Sequence, residues 1–329
     1  MGPCGCGLPV AEAVRGQVMA LEANFCRVRL EQPGPGGQRQ LLCTRRSRLA
    51  HGGQQVMVGD WVGLEGLDWT DGRAAVASLE PRRSELQRPA LANADRVVVV
   101  VALAQPQLDP EALSRFLLCA ETTGLEVLVL LSKADLVEPA LGQQWLERLA
   151  AWGYGAQAIG RGDPLALGAL RQRLQGGVSV LCGPSGVGKS SLLNALVPAL
   201  ALRTAAVSGK LQRGRHTTRH VELHDLAVDT LLADTPGFNR PELPTDASQW
   251  PLLFPEIRQQ QQAGARCRFR DCRHLQEPGC AIDRHWERYD YYRALFDQRP
   301  KPPRPVRPGR LRPPVSSSMR SFMVAADLA

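Results

Sequence analysis

Eight consecutive residues, Gly183, Pro184, Ser185, Gly186, Val187, Gly188, Lys189 and Ser190, spell G-x-x-x-x-G-K-S. This order suits a nucleotide phosphate chain. The glycines let backbone N–H groups turn inward around the anion. Lys189 brings a point charge to the β- and γ-phosphates, and Ser190 a hydroxyl for Mg²⁺. A helix beginning at Lys189, with Ser190 and Ser191 in its first turn, adds the favourable field of its N-terminus. The motif also has its required surroundings, an apolar strand over Val178–Cys182 before it and a helix to about Leu196 after it. A chance glycine-rich turn rarely combines strand, helix, lysine and serine.

Three further segments bear on what the phosphates belong to. Asp234-Thr235-Pro236-Gly237 follows a short buried strand, as the D-x-x-G of GTPases does. Asp234 would hold the metal through water, and the Gly237 N–H would sense the γ-phosphate. Arg215-His216-Thr217-Thr218 lies between this segment and the phosphate loop, where a switch threonine, here Thr217 or Thr218, is expected to touch Mg²⁺ and γ-phosphate. Ser132-Lys133-Ala134-Asp135 follows the apolar run Glu126–Leu131. Asp135 can accept from both N1–H and N2–H₂ of guanine, a donor pair that adenine lacks, and Lys133 can lay its stem over the base. Alone, S-K-A-D is more often an ordinary strand-to-helix turn; beside the other three motifs it becomes the base reader. Ordinary GTPases place this element last. Here it comes first, the order that circular permutation would produce.

A fourth cluster has different chemistry. Cys267, Cys272, His274 and Cys280 follow the spacing C-x₄-C-x-H-x₅-C. Three thiolates and one imidazole make a closed tetrahedral Zn²⁺ site, structural because no position is left for water. Arg266, Arg268, Arg270 and Arg273 surround it. The other six of the nine cysteines show no such grouping, and no disulfide framework is expected.

The elements that must position these residues follow from patterning. The 329 residues, 44% hydrophobic, suffice for two or three domains. Short β-type runs at Gly16–Ala20, Phe25–Leu30, Gln40–Cys43, Asp60–Leu64 and Ala74–Leu79 suggest a small barrel or sandwich. Glu80–Pro89 reads as a charged linker. From Arg96–Leu103, a continuous valine-rich run, strands alternate with helices at Pro110–Thr123, Leu141–Trp152 and Pro164–Leu174, the pattern of a parallel sheet covered on both faces. Past Pro241 short helical stretches surround the cysteines, and Trp286–Gln298 reads as a closing helix with its aromatics in the core. The net charge of +8 is uneven: residues 299–329 carry seven Lys/Arg against one acid, and Arg203–His220 holds five basic residues and no acid. Such clusters attract polyanions, although a merely solubilising tail is an even alternative. No apolar run reaches the roughly 18 residues of a membrane span. With no signal-peptide pattern, a cytoplasmic and monomeric protein without a membrane partner is expected.

Taken together, the barrel-like N-terminus, S-K-A-D, G-P-S-G-V-G-K-S, G-R-H-T-T-R, D-T-P-G-F and C-x₄-C-x-H-x₅-C resemble one family over about residues 14–298. It is the circularly permuted, small-ribosomal-subunit-dependent GTPase, a ribosome-biogenesis factor. The resemblance implies an oligonucleotide-binding-type (OB-type) β-barrel at 13–80, a circularly permuted α/β P-loop GTPase domain at 90–240 and a small α-helical zinc-binding domain at 241–298. Residues 1–12 and 299–329 are expected to be disordered. It further implies GTP/GDP, Mg²⁺ and one structural Zn²⁺. The partners would be the small ribosomal subunit and its 16S rRNA, with GTP hydrolysed late in subunit maturation. Two departures stand out: Ser132 replaces the usual asparagine, and Ala158-Ile159-Gly160-Arg161 lacks the serine of the second base-side motif. Phe238 fills the place of the glutamine that orients water in many GTPases, so the resemblance assigns that task to His216, and intrinsic turnover should be slow. Other readings are a P-loop ATPase or kinase, an RNA-binding module holding GTP as a structural ligand, and a GTPase with another target.

Overall fold

The computed structural model describes residues 14–45, 55–198, 200, 221–234 and 243–297. The expected disordered ends, the basic stretch Arg203–His220 and the segment from Thr235 to Gly237 lie outside these residues.

Five strands, β1 (Val14–Leu21), β2 (Phe25–Leu30), β3 (Gln40–Arg45), β4 (Trp61–Asp68) and β5 (Arg73–Leu79), form the N-terminal barrel. Their order is β1-β2-β3-β5-β4, closed by an antiparallel β1–β4 pairing, with β3 and β5 parallel. Closure removes open edges. Alternate residues turn inward, Cys26, Val28 and Leu30 from β2 and Ala74 and Val76 from β5, which matches the period-2 pattern that the sequence carries.

The expected charged linker is instead a structured joint. Strands β6 (Glu85–Gln87) and β7 (Ala90–Ala92) pair as a hairpin that buries Leu86 and Leu91. Arg82 reaches back to the fully buried Asp60 with bonds of 2.7 and 2.9 Å. Buried Asn93 donates to the Gly59 carbonyl at 3.0 Å and accepts from the Arg83 N–H at 2.8 Å. A Cβ on Gly59 would lie 2.0 Å from the Ala92 carbonyl oxygen, so the two backbones meet where only glycine fits. Arg82, in the segment that read as a charged linker, thus pairs with a buried carboxylate.

The second sheet contains β8 (Arg96–Ala102), β9 (Glu126–Ser132), β10 (Gly155–Ile159), β11 (Gly177–Cys182), β12 (Glu222–Ala227) and β13 (Thr230–Asp234), in the order β10-β9-β8-β11-β13-β12. All neighbours are parallel except β12 and β13. Helices α1 (Pro110–Glu121), α2 (Pro139–Ala151), α3 (Pro164–Arg173) and α4 (Lys189–Leu196) cover it. Asp109 and Asp163 cap α1 and α3 by accepting N–H bonds, and Pro110 and Pro164 follow at the first helical position. The valine run of β8 is explained by burial on both faces. Val97, Val99 and Val101 pack with Leu113 and Leu117 of α1 and Trp145 and Leu149 of α2, whereas Val98 and Val100 pack with Leu170 of α3 and Leu193 and Leu196 of α4. The strand order reverses between β8 and β11, the place where open α/β sheets form their binding crevice. A pairing of β1 with β12, Ala20 opposite Glu222, joins barrel and sheet.

Beyond residue 242 a 3₁₀ turn at Trp250–Leu253 leads into a short helix, α5 (Pro255–Gln262), and then the cysteine loop. Trp286 lies outside the closing helix that the pattern suggested; its ring packs on Phe254 and Tyr289, centroids 5.5 and 5.6 Å away. The closing helix, α6, is Tyr289–Asp297. Residues 290–297 belong to a second unit, in which the Tyr292 and Phe296 rings stand 5.3 Å apart. Among the described residues no helix is long and apolar enough to cross a membrane.

Candidate nucleotide site and metal cluster

The phosphate loop runs from β11 into α4, as its spacing requires. Gly183, Gly186 and Gly188 have φ of +137°, +80° and +95°, values that L side chains rarely adopt. Gly183 is also closed to substitution by its neighbour: an added Cβ would lie 2.0 Å from the Val100 carbonyl oxygen of β8. The Lys189 ammonium folds into the loop, 2.8 Å from the Gly183 carbonyl and 2.6 Å from that of Pro184. Ser185, Ser190 and Ser191 are exposed, and Val187 is buried as the loop's apolar anchor.

Ser132, Lys133 and Asp135 arrive at the same edge from the end of β9. Buried Ser132 lies 3.1 Å from the Val101 carbonyl and 2.6 Å from that of Val187 in the phosphate loop. Its one proton serves one acceptor at a time. Lys133, at φ +57°, donates to the Gly186 carbonyl at 2.8 Å and also to that of Gln105. Two side chains of S-K-A-D thus tie it to a loop more than fifty residues later in the chain. Exposed Asp135 accepts from the Arg161 N–H at 2.8 Å, and a Cβ on Gly160 would lie 3.2 Å from the Cβ of Asp135. The segment that departs from the family pattern therefore still abuts the Asp135 carboxylate. The contribution of Arg161 was invisible in sequence because its backbone makes it. Gln105 was missed for the same reason.

Asp234 ends β13, whose Ala233 pairs with Val180 of β11, so its backbone stops at the edge where the phosphate loop begins. His216, Thr217, Thr218 and Gly237 lie outside the described residues.

Cys267, Cys272, His274 and Cys280 converge, with ligand atoms all within 4.8 Å of one another. Nδ1 of His274 is 3.5 Å from Sγ of Cys267 and 3.6 Å from Sγ of Cys280, and these two sulfurs are 4.0 Å apart. With Zn–S near 2.3 Å and Zn–N near 2.0–2.1 Å, a tetrahedron has S···S edges of about 3.8 Å and S···N edges of about 3.5 Å. The donor set fits zinc. Burial pushes the Cys272 thiol up to about 12. Glu277 organises the loop, accepting from Leu275 N–H at 2.9 Å and Arg273 N–H at 3.1 Å. Burial opposes its charge, yet backbone N–H bonds hold its carboxyl below the usual range. The Tyr289 hydroxyl donates to the Leu275 carbonyl at 3.0 Å.

The model of the RsgA GTPase family matches residues 79–244. A small ribosomal subunit biogenesis GTPase RsgA from Synechococcus sp. strain CC9605 is 54% identical over 89% of this chain and 97% of its own. The protein of that name from Thermosynechococcus vestitus is 50% identical over 86% of this chain and 81% of its own. The crystal structure of YloQ, a circularly permuted GTPase, superposes with a TM-score of 0.71 at 28% identity, covering 88% of this chain and 98% of that one. YjeQ from Thermotoga maritima gives 0.69 at 25% identity, covering 86% and 97%. With S-K-A-D at the end of β9 ahead of G-P-S-G-V-G-K-S after β11, and both at one sheet edge, the chain belongs to the RsgA GTPase family.

Proposed function

We propose that this GTPase acts on the small ribosomal subunit late in its maturation, as a monomer in the cytoplasm, and contacts the 16S rRNA. The relatives' name specifies small-subunit biogenesis, and the basic stretch Arg203–His220 suits a polyanionic partner. In this reading Gly183–Ser191 wrap the phosphates of GTP or GDP. Ser190, Asp234 and Thr217 or Thr218 would hold Mg²⁺, whose charge offsets that of the phosphates. Asp135 reads guanine, Lys133 covers the base, and Ser132 braces the phosphate loop. The Gly237 N–H senses the γ-phosphate, and His216 orients the attacking water. The zinc cluster is structural. We place the barrel at 13–80, the GTPase domain at 90–240 and the zinc-binding domain at 241–298.

One observation carries this reading. Ser132 and Lys133 bond directly to the phosphate loop, so base recognition and phosphate binding share one rigid edge despite their inverted order. The test is turnover of GTP by the purified chain, alone and with purified small subunits, with ATP as control. Slow GTP turnover that rises strongly with subunits, and no ATP turnover, is expected. No rise would remove the ribosomal assignment, and ATP turnover would overturn the role of Asp135. His216→Ala retaining full stimulated activity would remove His216 from its role.

A further inference from the structure

The barrel does more than precede the GTPase domain; it shares a strand rung with it. Glu222, the first residue of β12, pairs with Ala20 of the barrel strand β1 on one side. On the other it pairs with Asp234, the last residue of β13. Ala20, Glu222 and Asp234 therefore lie in line across three adjacent strands. Two ion pairs clamp the same strand to the barrel. Arg27 of β2 meets Glu222 at 2.7 Å, and Arg29 meets Asp225 at 2.6 Å. The barrel is in turn held by the Asp60–Arg82 pair and the Asn93–Gly59 bond to the residues that lead into β8. It cannot drift from the sheet without breaking both attachments.

β12 is also where the chain returns from the segment that carries Thr217 and Thr218. Glu222 stands four positions after Thr218, which at about 3.5 Å per residue is at most about 14 Å of chain. One short strand thus anchors the exit of the switch segment and lies beside the aspartate at the phosphate edge.

We propose that Arg27 and Arg29 are positioning residues for GTP hydrolysis: through Glu222 and Asp225 they fix β12, and with it the backbone of Asp234 and the exit of the switch segment, to the barrel. A partner that grips the barrel thereby sets the metal-side geometry. The inference rests on the assignment of Asp234 to the metal and of the small subunit as partner. It concerns neither the bases nor the phosphates, so its effect is confined to the metal side.

The clamp can be cut without unfolding the protein, because partly exposed ion pairs contribute little to overall stability. The test is the double variant Arg27→Ala/Arg29→Ala, with Arg29→Asp/Asp225→Arg as a charge swap that restores one pair. Three quantities are read: the Mg²⁺ concentration for half-maximal GTP turnover, turnover with saturating small subunits, and GDP affinity in the presence of excess Mg²⁺. The double variant should need about five-fold more Mg²⁺ and lose about five-fold of the stimulated rate, the scale of two weak pairs acting together, with GDP affinity within about two-fold. The charge swap should lie closer to the parent. Unchanged Mg²⁺ demand in the double variant overturns the proposal, as does a loss of GDP affinity equal to the loss of rate, which would mark general damage. If the parent is not stimulated by small subunits, the partner assignment fails, and the Mg²⁺ demand measured without subunits still decides the clamp.

Discussion

Arg288 is only 2% exposed in its side chain, and its guanidinium grips Glu256 of α5 with two bonds of 2.7 and 2.6 Å. Three rings enclose it, Trp152, Phe254 and Tyr154, at 4.7, 5.1 and 5.4 Å from Cζ. Trp152 and Tyr154 belong to the α2–β10 turn, so this one cation fixes the C-terminal segment to the GTPase sheet. Arg288→Ala leaves the Glu256 carboxylate buried without its partner, and breaking such a pair costs about 3–5 kcal/mol. At roughly 2 °C per kcal/mol for a body of this size, the melting temperature should fall by about 6–10 °C. Arg288→Met combined with Glu256→Leu removes both charges and keeps volume, and should recover most of that loss. The assay is thermal melting by circular dichroism at one zinc concentration for the parent, single and double variants. A single variant melting within about 1 °C of the parent would refute the argument that the pair is a buried clamp. A double variant as unstable as the single would refute the claim that the cost is an orphaned carboxylate.

Gly183→Ala should abolish nucleotide binding measured by calorimetry, because its Cβ would meet the Val100 carbonyl at 2.0 Å and force the phosphate loop off β8; binding within about three-fold of the parent would contradict this, since that is under 1 kcal/mol. Cys272→Ser should lower the bound zinc measured by atomic absorption from about one per chain to near zero, since three ligands hold the ion far less tightly than four; retained zinc would mean that Cys272 is not a ligand. Arg15, bonded to Glu80 at 2.6 and 2.8 Å, holds that carboxyl below its ordinary value of 4.5. The stabilisation is therefore complete above pH 4.5 and is lost as pH falls through the lower folded value. Melts of Arg15→Ala should differ from the parent near neutrality and converge with it in acid; a gap that stays constant down to pH 3 would count against this pairing.

What the sequence made legible was whatever is local and made by side chains. The phosphate loop declared itself because its glycines, lysine and serine are contiguous, and the β8 valines did so because a strand buried on both faces has no alternative composition. The four residues of the Cys/His cluster fall within fourteen residues. Illegible were contacts whose partners are distant or whose atoms belong to the backbone. The β6–β7 hairpin has three-residue strands, too short for any period to register, and the segment read as a charged linker because Asp60 lies 22 residues upstream of Arg82. β12 carries Glu222, Asp225 and a half-exposed face, so it lacked the apolar run that marked β8 and β9. Arg288 packs on Trp152, Tyr154 and Phe254, all more than thirty residues away in sequence, so nothing nearby announced a buried charge; of the C-terminal aromatics expected in the core, Tyr292 is buried and Trp286, Tyr289 and Phe296 are half-buried. Ser132 looked like a weakened base reader, and only the Val187 carbonyl 2.6 Å away shows what its hydroxyl does.

The inverted motif order also bears on how the protein is made. Of the GTPase-domain strands, β8, β9 and β10 leave the ribosome first, and β8 then presents a bare edge whose complement, β11, begins 75 residues after Ala102. Until that complement emerges, Val98 and Val100 lack α4 and the Val100 carbonyl has no glycine to meet. At synthesis rates of roughly 5–20 residues per second, that edge waits about 4–15 seconds. The barrel, complete by Leu79, precedes the gap in the chain, and N-terminal units generally fold first during synthesis, so strand β1 is there to receive β12. During translation it serves as a template: the last strands of the sheet add between two surfaces that already exist, and the phosphate crevice is the final seam to close.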